Sequence, residues 1–265
     1  MLSIFDQVCN LVNAKDEVLA LANAEVGMGP FSLSVPRIAF PQHIDEAATV
    51  VAHLDGLQVG DLNFQTGDAV IWNPRPHWEI LRDQVRKVRA RIEVVQESLQ
   101  LSAPEGSLAG LLEGFSYGSN HLSVAVEAAR EPAMELVGGL RAGDLDLCLN
   151  GAKALAGLGG GLTPAGDDWI VGCLLALHTI KDDAQAKRWG SAIFDVAAVR
   201  TTTLSVALLR AAVGGACSER WHVLFGALLE GEDREIRQAV NDLAQLGHTS
   251  GADSLAGFVA LISEG

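Results

Sequence analysis

The pattern of apolar residues changes character near residue 80, and that change limits what the chain can fold into. Up to Trp72 the apolar residues come in short β-prone runs: "FSLSVPRIAF" (31–40), "ATVVAHL" (48–54), "LQVGDLNF" (57–64) and "DAVIW" (68–72). Turn signals such as Val59-Gly60-Asp61 and Thr66-Gly67-Asp68 separate them, as strands and their turns require. This predicts a small, mostly antiparallel β-domain over residues 1–80, with room for one helix within residues 5–25. After Pro76 the strand signals nearly vanish. Residues 78–101 carry Val85, Val88, Ile92 and Val95 at three-to-four spacing, which predicts one amphipathic helix. Beyond it, apolar stretches alternate with glycine breaks and predict helices at 121–130, 132–141, 144–156, 164–180, 185–198, 202–213, 219–230, 234–246 and 252–263. The expectation is an α+β protein whose helical domain, 81–265, carries two glycine-rich loops.

Composition narrows the partners. A chain of 265 residues that is 49% hydrophobic can bury a sizeable core. Its net charge of −14 repels nucleic acid and anionic membrane surfaces, so a small molecule or another protein is expected instead. Cys9, Cys148, Cys173 and Cys217 have no metal or disulfide spacing and read as reduced, buried thiols. The start "MLSIFDQVCNLV" has no secretory pattern, and the longest apolar run, Trp169 to Ile180, is too short to span a bilayer. These features predict a cytoplasmic protein.

The stretch "GLGGGLTPAGDDW" (157–169) raises the chemical question. Thr163 followed by Pro164 reads as an N-cap and first helical residue, which puts Asp167 and Asp168 near the first turn of a helix buried through Ile170, Cys173, Leu174 and Leu177. Free backbone N–H groups and the helix dipole favour an anion there, yet two carboxylates already occupy the position. No Lys-Ser/Thr ending follows, so this is not a P-loop. Either the aspartates satisfy the helix end, or they hold a divalent cation such as magnesium, or a cationic group, that bridges to an anionic ligand.

A second stretch, "GHTSGAD" (247–253), aligns without gaps on "GLTPAGD" (161–167): Gly161 with Gly247, Thr163 with Thr249, Asp167 with Asp253. Both open apolar helices, so the two N-termini either converge on one site or resemble each other by chance. In the first case Asp167, Asp168, His248 and Asp253 are the catalytic candidates, with Gly159, Gly161, Thr163, Gly166, Thr249, Ser250 and Gly251 binding the substrate. "RTTTLS" (200–205) adds Arg200, Thr202 and Ser205 as an oxyanion clamp, or forms an N-cap cluster. His248 is either a general acid or base or a side chain packed on a helix end. No Ser-His-Asp order, H-E-x-x-H or strand-borne G-x-G-x-x-G is present.

Together "GLGGGLTPAGDDWIVG", "RTTTLS" and "GHTSGADSLAG", with "DAVIWNPRP" (68–76), resemble the bacterial family of AllH-type subunits of oxamate carbamoyltransferase. The resemblance departs from the family's usual first loop at Gly160 and Ala165, which stand in place of a proline and a serine. It implies a subunit of an enzyme of purine and allantoin breakdown that exchanges a carbamoyl group between oxalurate or oxamate and phosphate. It also implies a small anionic substrate and further carbamoyltransferase subunits as partners. Two other readings remain open at this level: a magnesium-dependent hydrolase of the ADP-ribosylglycohydrolase kind with Asp167 and Asp168 as metal ligands, and a non-catalytic scaffold.

Overall fold

A computed structural model describes residues 1–112 and 124–263. The chain divides into two compact units, Met1–Pro74 and Arg75–Gly265.

The first unit holds the strands found among the described residues: β1 (Ser3–Ile4), β2 (Val8–Val12), β3 (Val18–Asn23), β4 (Ser32–Val35), β5 (Val50–Ala52), β6 (Gly56–Val59) and β7 (Leu62–Gln65). They form a four-stranded sheet in the order β1-β2-β3-β4 and a three-stranded sheet in the order β5-β6-β7. Pairing is antiparallel throughout except between β3 and β4, which run parallel. The expected helix within 5–25 is absent from this region. Val8–Val12 and Val18–Asn23 form a hairpin instead, because the Asn13 side chain accepts from the N–H groups of Lys15 and Glu17 and closes the turn between them. "DAVIW" is not a strand either; among the described residues it finds no strand partner, and Val70 and Ile71 stand exposed. Cys9, Leu21, Phe40, Val59 and Phe64 lie at the centre of this unit's core.

The second unit is helical: α1 (Trp78–Asp83), α2 (Val85–Ala90), α3 (Ile92–Ser102), α4 (Val124–Ala142), α5 (Leu145–Leu155), α6 (Ala165–Ile180), α7 (Asp183–Ala197), α8 (Thr203–Val213), α9 (Glu219–Glu230), α10 (Asp233–Ala244) and α11 (Ser250–Ile262). The single helix expected over 78–101 is broken at Gln84 and Arg91. Arg91 donates from the second break to the carbonyls of Ala227, Leu228 and Gly231, capping the end of α9. Conversely, the helices expected at 121–130 and 132–141 are one, running through Pro132; residues 121–123 lie outside the described residues. Pro132 sacrifices one hydrogen bond but keeps the helix, since α4 is clasped against α5. A Cβ on Gly151 would stand 2.5 Å from the Pro132 carbonyl.

α6 and α11 are apolar on nearly every side and form the middle of the unit. They touch backbone to backbone, and reciprocally. A Cβ on Gly172 would lie 1.9 Å from the Ser254 carbonyl oxygen, and one on Gly257 would lie 2.1 Å from that of Trp169. Such distances leave no room for even a methyl group. Among the described residues no helix is long and apolar enough to cross a membrane. The four cysteines are buried and unpaired as disulfides.

Glycine to alanine normally stabilises a helix interior by about 0.5–1 kcal/mol. That gain is expected for Gly226→Ala in α9, where nothing lies within 4 Å of the added Cβ. Gly172→Ala and Gly257→Ala should have the opposite sign, costing about 1–3 kcal/mol or more because two backbones must separate. Denaturant midpoints of the three variants check this; equal shifts would mean that the crossing is not tight.

Candidate functional site

Two loops feed the crossing. The first joins α5 to α6 over residues 156–164, and the second joins α10 to α11 over 245–249. They are built alike. The Gly166 N–H donates to the Leu158 carbonyl at 2.9 Å, and the Gly251 N–H donates to the Leu246 carbonyl at 3.0 Å. A Cβ on Gly166 would lie 2.1 Å from the Leu155 carbonyl oxygen, and one on Gly251 would lie 1.8 Å from that of Leu243. The structural equivalence is therefore Gly166 with Gly251, Asp168 with Asp253 and Gly172 with Gly257. It differs by one residue from the gapless sequence match, which paired Asp167 with Asp253, because the first loop is longer than the second.

The equivalent carboxyls are buried together. Asp168 is 3% exposed and Asp253 is 0% exposed. Asp253 Oδ1 accepts from the Leu108 N–H, and the Thr249 hydroxyl also bonds this carboxyl. Asp168 is bonded by the hydroxyls of Ser250, from the opposite helix, and Thr163. Each carboxyl nevertheless keeps one oxygen, Oδ2, buried and without a partner. Burial pushes the Asp253 carboxyl up to about 7 against the pull of Leu108 and Thr249. Burial also raises Asp168 well above the usual carboxylate range; Ser250 and Thr163 oppose the rise, while the charges of Asp253 and Asp167 reinforce it.

Asp167 does different work. Its Oδ1 accepts from the Gly157 N–H at 2.9 Å and its Oδ2 from the Thr201 hydroxyl, so both oxygens brace the first loop. Burial raises this carboxyl too, with Thr201, Gly157 and Ser205 opposing. Gly157 turns the chain at φ +76°, and its missing side chain lets the Arg200 carbonyl oxygen come within 2.4 Å of the Cβ position. Thr202 is the N-cap of α8, accepting from the Ser205 N–H at 3.1 Å, and its hydroxyl donates to the Leu162 carbonyl at 2.5 Å. The "RTTTLS" segment thus lies against the first loop as a cap and a brace. The Ser205 hydroxyl is buried near Asp167 without a well-formed hydrogen bond.

Several expectations change here. Pro164, not Thr163, takes the N-cap place of α6, which frees the Thr163 hydroxyl for Asp168. Glu232 caps α10 in a reciprocal box with Glu235, and the helix begins one residue ahead of the start expected at 234. Arg200 presents its carbonyl to the loop while the residue is exposed, and His248 is exposed on the second loop and bonded to neither carboxyl. Gly159 and Gly161 are exposed on the first loop with positive φ. A cation held jointly by Asp167 and Asp168 does not suit this arrangement, since Asp167 has both oxygens committed to protein donors. Among the described residues no three His, Cys, Asp or Glu side chains gather as metal ligands. Sequence reasoning missed Thr201 and Gly157. Both sit inside the motifs that were noticed, but spacing does not say which of three consecutive threonines turns inward.

A family model described as the AllH family N-terminal domain matches residues 2–75, and one described as oxamate carbamoyltransferase subunit AllH matches residues 155–262. The chain belongs to the AllH family. The second match begins at the end of α5 and closes with α11, so it spans both loops and both central helices. No solved structure matches the chain.

A folded Asp253 keeps its proton to about pH 7, whereas an unfolded aspartate releases it near 4. The folded state therefore binds more protons in between, and this contribution to stability is complete below about pH 4 and lost as pH rises through about 7. Asp253→Asn removes the titration and keeps an acceptor for the Leu108 N–H. Between pH 5 and 8 the native protein should lose about 2–3 kcal/mol more than this variant, measured by urea unfolding at each pH. Parallel pH curves would show that Asp253 is ionised in the folded state.

Proposed function

We propose that this chain is a subunit of a carbamoyltransferase that works with further subunits and binds a small anionic substrate between the first turns of α6 and α11. The family description supports the reaction class. The observation that carries the site is the pair of buried Oδ2 atoms, on Asp168 and Asp253, that the protein leaves without partners. In this reading the substrates are of the oxamate or oxalurate and carbamoyl phosphate kind, and the setting is the breakdown of purines and allantoin.

Two ionised carboxylates would repel such a ligand. At about 4 Å and an effective dielectric near 20, each would cost roughly 4 kcal/mol. Burial removes that objection, because it favours the protonated acid, and a protonated carboxyl is a hydrogen-bond donor. The protons held at Asp168 and Asp253 then make a pair of neutral donors, and the hydroxyls of Thr163 and Ser250 hold the Asp168 carboxyl in place before the substrate arrives. When a nucleophile attacks a carbamoyl carbon, charge builds on its oxygen. Donors already oriented toward that atom lower the barrier without rearranging. No covalent intermediate is required, since orientation of the two reactants supplies the rest. Because both Oδ2 atoms are buried, the exposed loop stretches 159–161 and 247–248 must give way to admit the substrate.

Reconstitution of the enzyme with its other subunits, followed by carbamoyl transfer assays, tests this reading. Asp168→Ala and Asp253→Ala should each lower kcat/KM by about 10²–10³, the usual loss for an oxyanion donor. The corresponding Asn variants, which restore a neutral donor, should recover about a tenth or more of that loss. A chain that only completes a partner's site would retain full activity in all four variants, and that result would refute the assignment.

A further inference from the structure

The same two helices wall a second feature on a different face. A cavity of about 640 Å³ lies between α4, α6 and α11, and neither Asp168 nor Asp253 lines it. Its volume falls in the range of small-molecule sites, about 300–1,000 Å³. What marks it is the chemistry of its polar groups. Arg130 and Arg141, on one face of α4 and separated along the helix by about 16 Å, stand at its edges. Trp169 lines it from α6, is 2% exposed, and its indole N–H is buried with no acceptor.

Guanidinium and indole groups only donate. No carboxylate is among the described lining residues, although the chain carries 33 acidic residues against 19 basic ones. Arg141 is partly engaged, donating through one nitrogen to the carbonyls of Ala260 and Ser263 at the end of α11. Arg130 makes an exposed i,i+3 pair with Glu127 at 3.3 Å, a weak contact that a ligand can replace. The rest of the wall is largely apolar, with Met134 and Val137 of α4 and Val259 of α11 among its lining residues.

We infer that this cavity is a binding site for an organic acid: an anionic head on an apolar body, with the head held by Arg130, the guanidinium not committed to backbone carbonyls, and an acceptor atom meeting the Trp169 indole N–H. Gln96 and Ser263 add neutral polar groups, so the charge of the described lining is carried by two guanidiniums with no carboxylate; that selects against cations, and the apolar wall selects against a bare inorganic ion. The inference does not depend on the reaction proposed above. Because α6 and α11 bound both features, an acid bound here would also brace the helices that carry Asp168 and Asp253.

Calorimetric titration of the full chain with octanoate and 4-phenylbutyrate tests this, with octylammonium as the matched cation. At least one of the acids should bind saturably at one site with Kd below about 1 mM, and octylammonium should not bind. Arg130→Gln should weaken the acid about tenfold, and Trp169→Phe should weaken it several-fold, each with its thermal midpoint checked to separate binding from folding. No saturable binding of either acid up to about 10 mM would overturn the inference. Equal binding of octylammonium would overturn it too, as would unchanged affinity in a folded Arg130→Gln protein.

Discussion

Everything chemically unusual in this chain follows from the contact between α6 and α11 at Gly172 and Gly257. Two helices that meet through backbone alone bring their first turns together and shut water out between them. Whatever side chains those turns carry become buried, and here they are carboxyls, Asp168 and Asp253. A looser crossing would have left both as ordinary solvated residues at helix starts, where a carboxylate contributes a few tenths of a kcal/mol and nothing more.

The protein meets the cost of burying three acids in two ways. Asp167 is compensated with donors from Gly157 and Thr201, and becomes the brace that holds the first loop against the segment that leads into α8. Asp168 and Asp253 are compensated only in part, by hydroxyls and one backbone N–H, and burial turns them toward their neutral forms. Full satisfaction fixes structure, whereas partial satisfaction leaves binding capacity. Adjacent, chemically identical residues thus differ through their surroundings alone: Asp167 has both oxygens bonded, and Asp168 keeps one without a partner. An orphaned buried oxygen is uncommon enough in a folded protein to call for an explanation, and two at equivalent positions call for a common one.

The likeness of the two loops extends beyond the glycines. Leu155 and Leu243 lie at the ends of α5 and α10, and Leu158 and Leu246 follow three residues on in the loops, each pair preceding a glycine whose Cβ position a leucine carbonyl fills. The repeated unit is therefore a whole helix-loop-helix, α5 with α6 and α10 with α11. The family match over 155–262 takes in both loops and central helices. Between the repeats, Thr201, two residues ahead of α8, supplies a hydroxyl to hold the extra aspartate, Asp167, of the first loop.

The sequence by itself determined the division into a β-rich and a helical part, because a period of two and a period of three to four do not coexist in one element. It also determined where the two glycine loops fall and that each opens a buried helix, since Gly, Thr, Pro and Asp have few other uses at a helix start. It did not determine that the loops differ in length by enough to shift their correspondence, so Asp167 was matched to Asp253 where the structure matches Asp168. It did not reveal that 78–102 is three helices, that Pro132 lies inside one, or that "DAVIW" is not a strand. Those outcomes rest on distant partners: the carbonyls ending α9 for Arg91 and the α5 backbone for Pro132, whereas "DAVIW" joins neither sheet. The same holds for charge. Local sequence places an aspartate on a helix, but its protonation depends on how much water the packing around it excludes, and only the tertiary structure decides that.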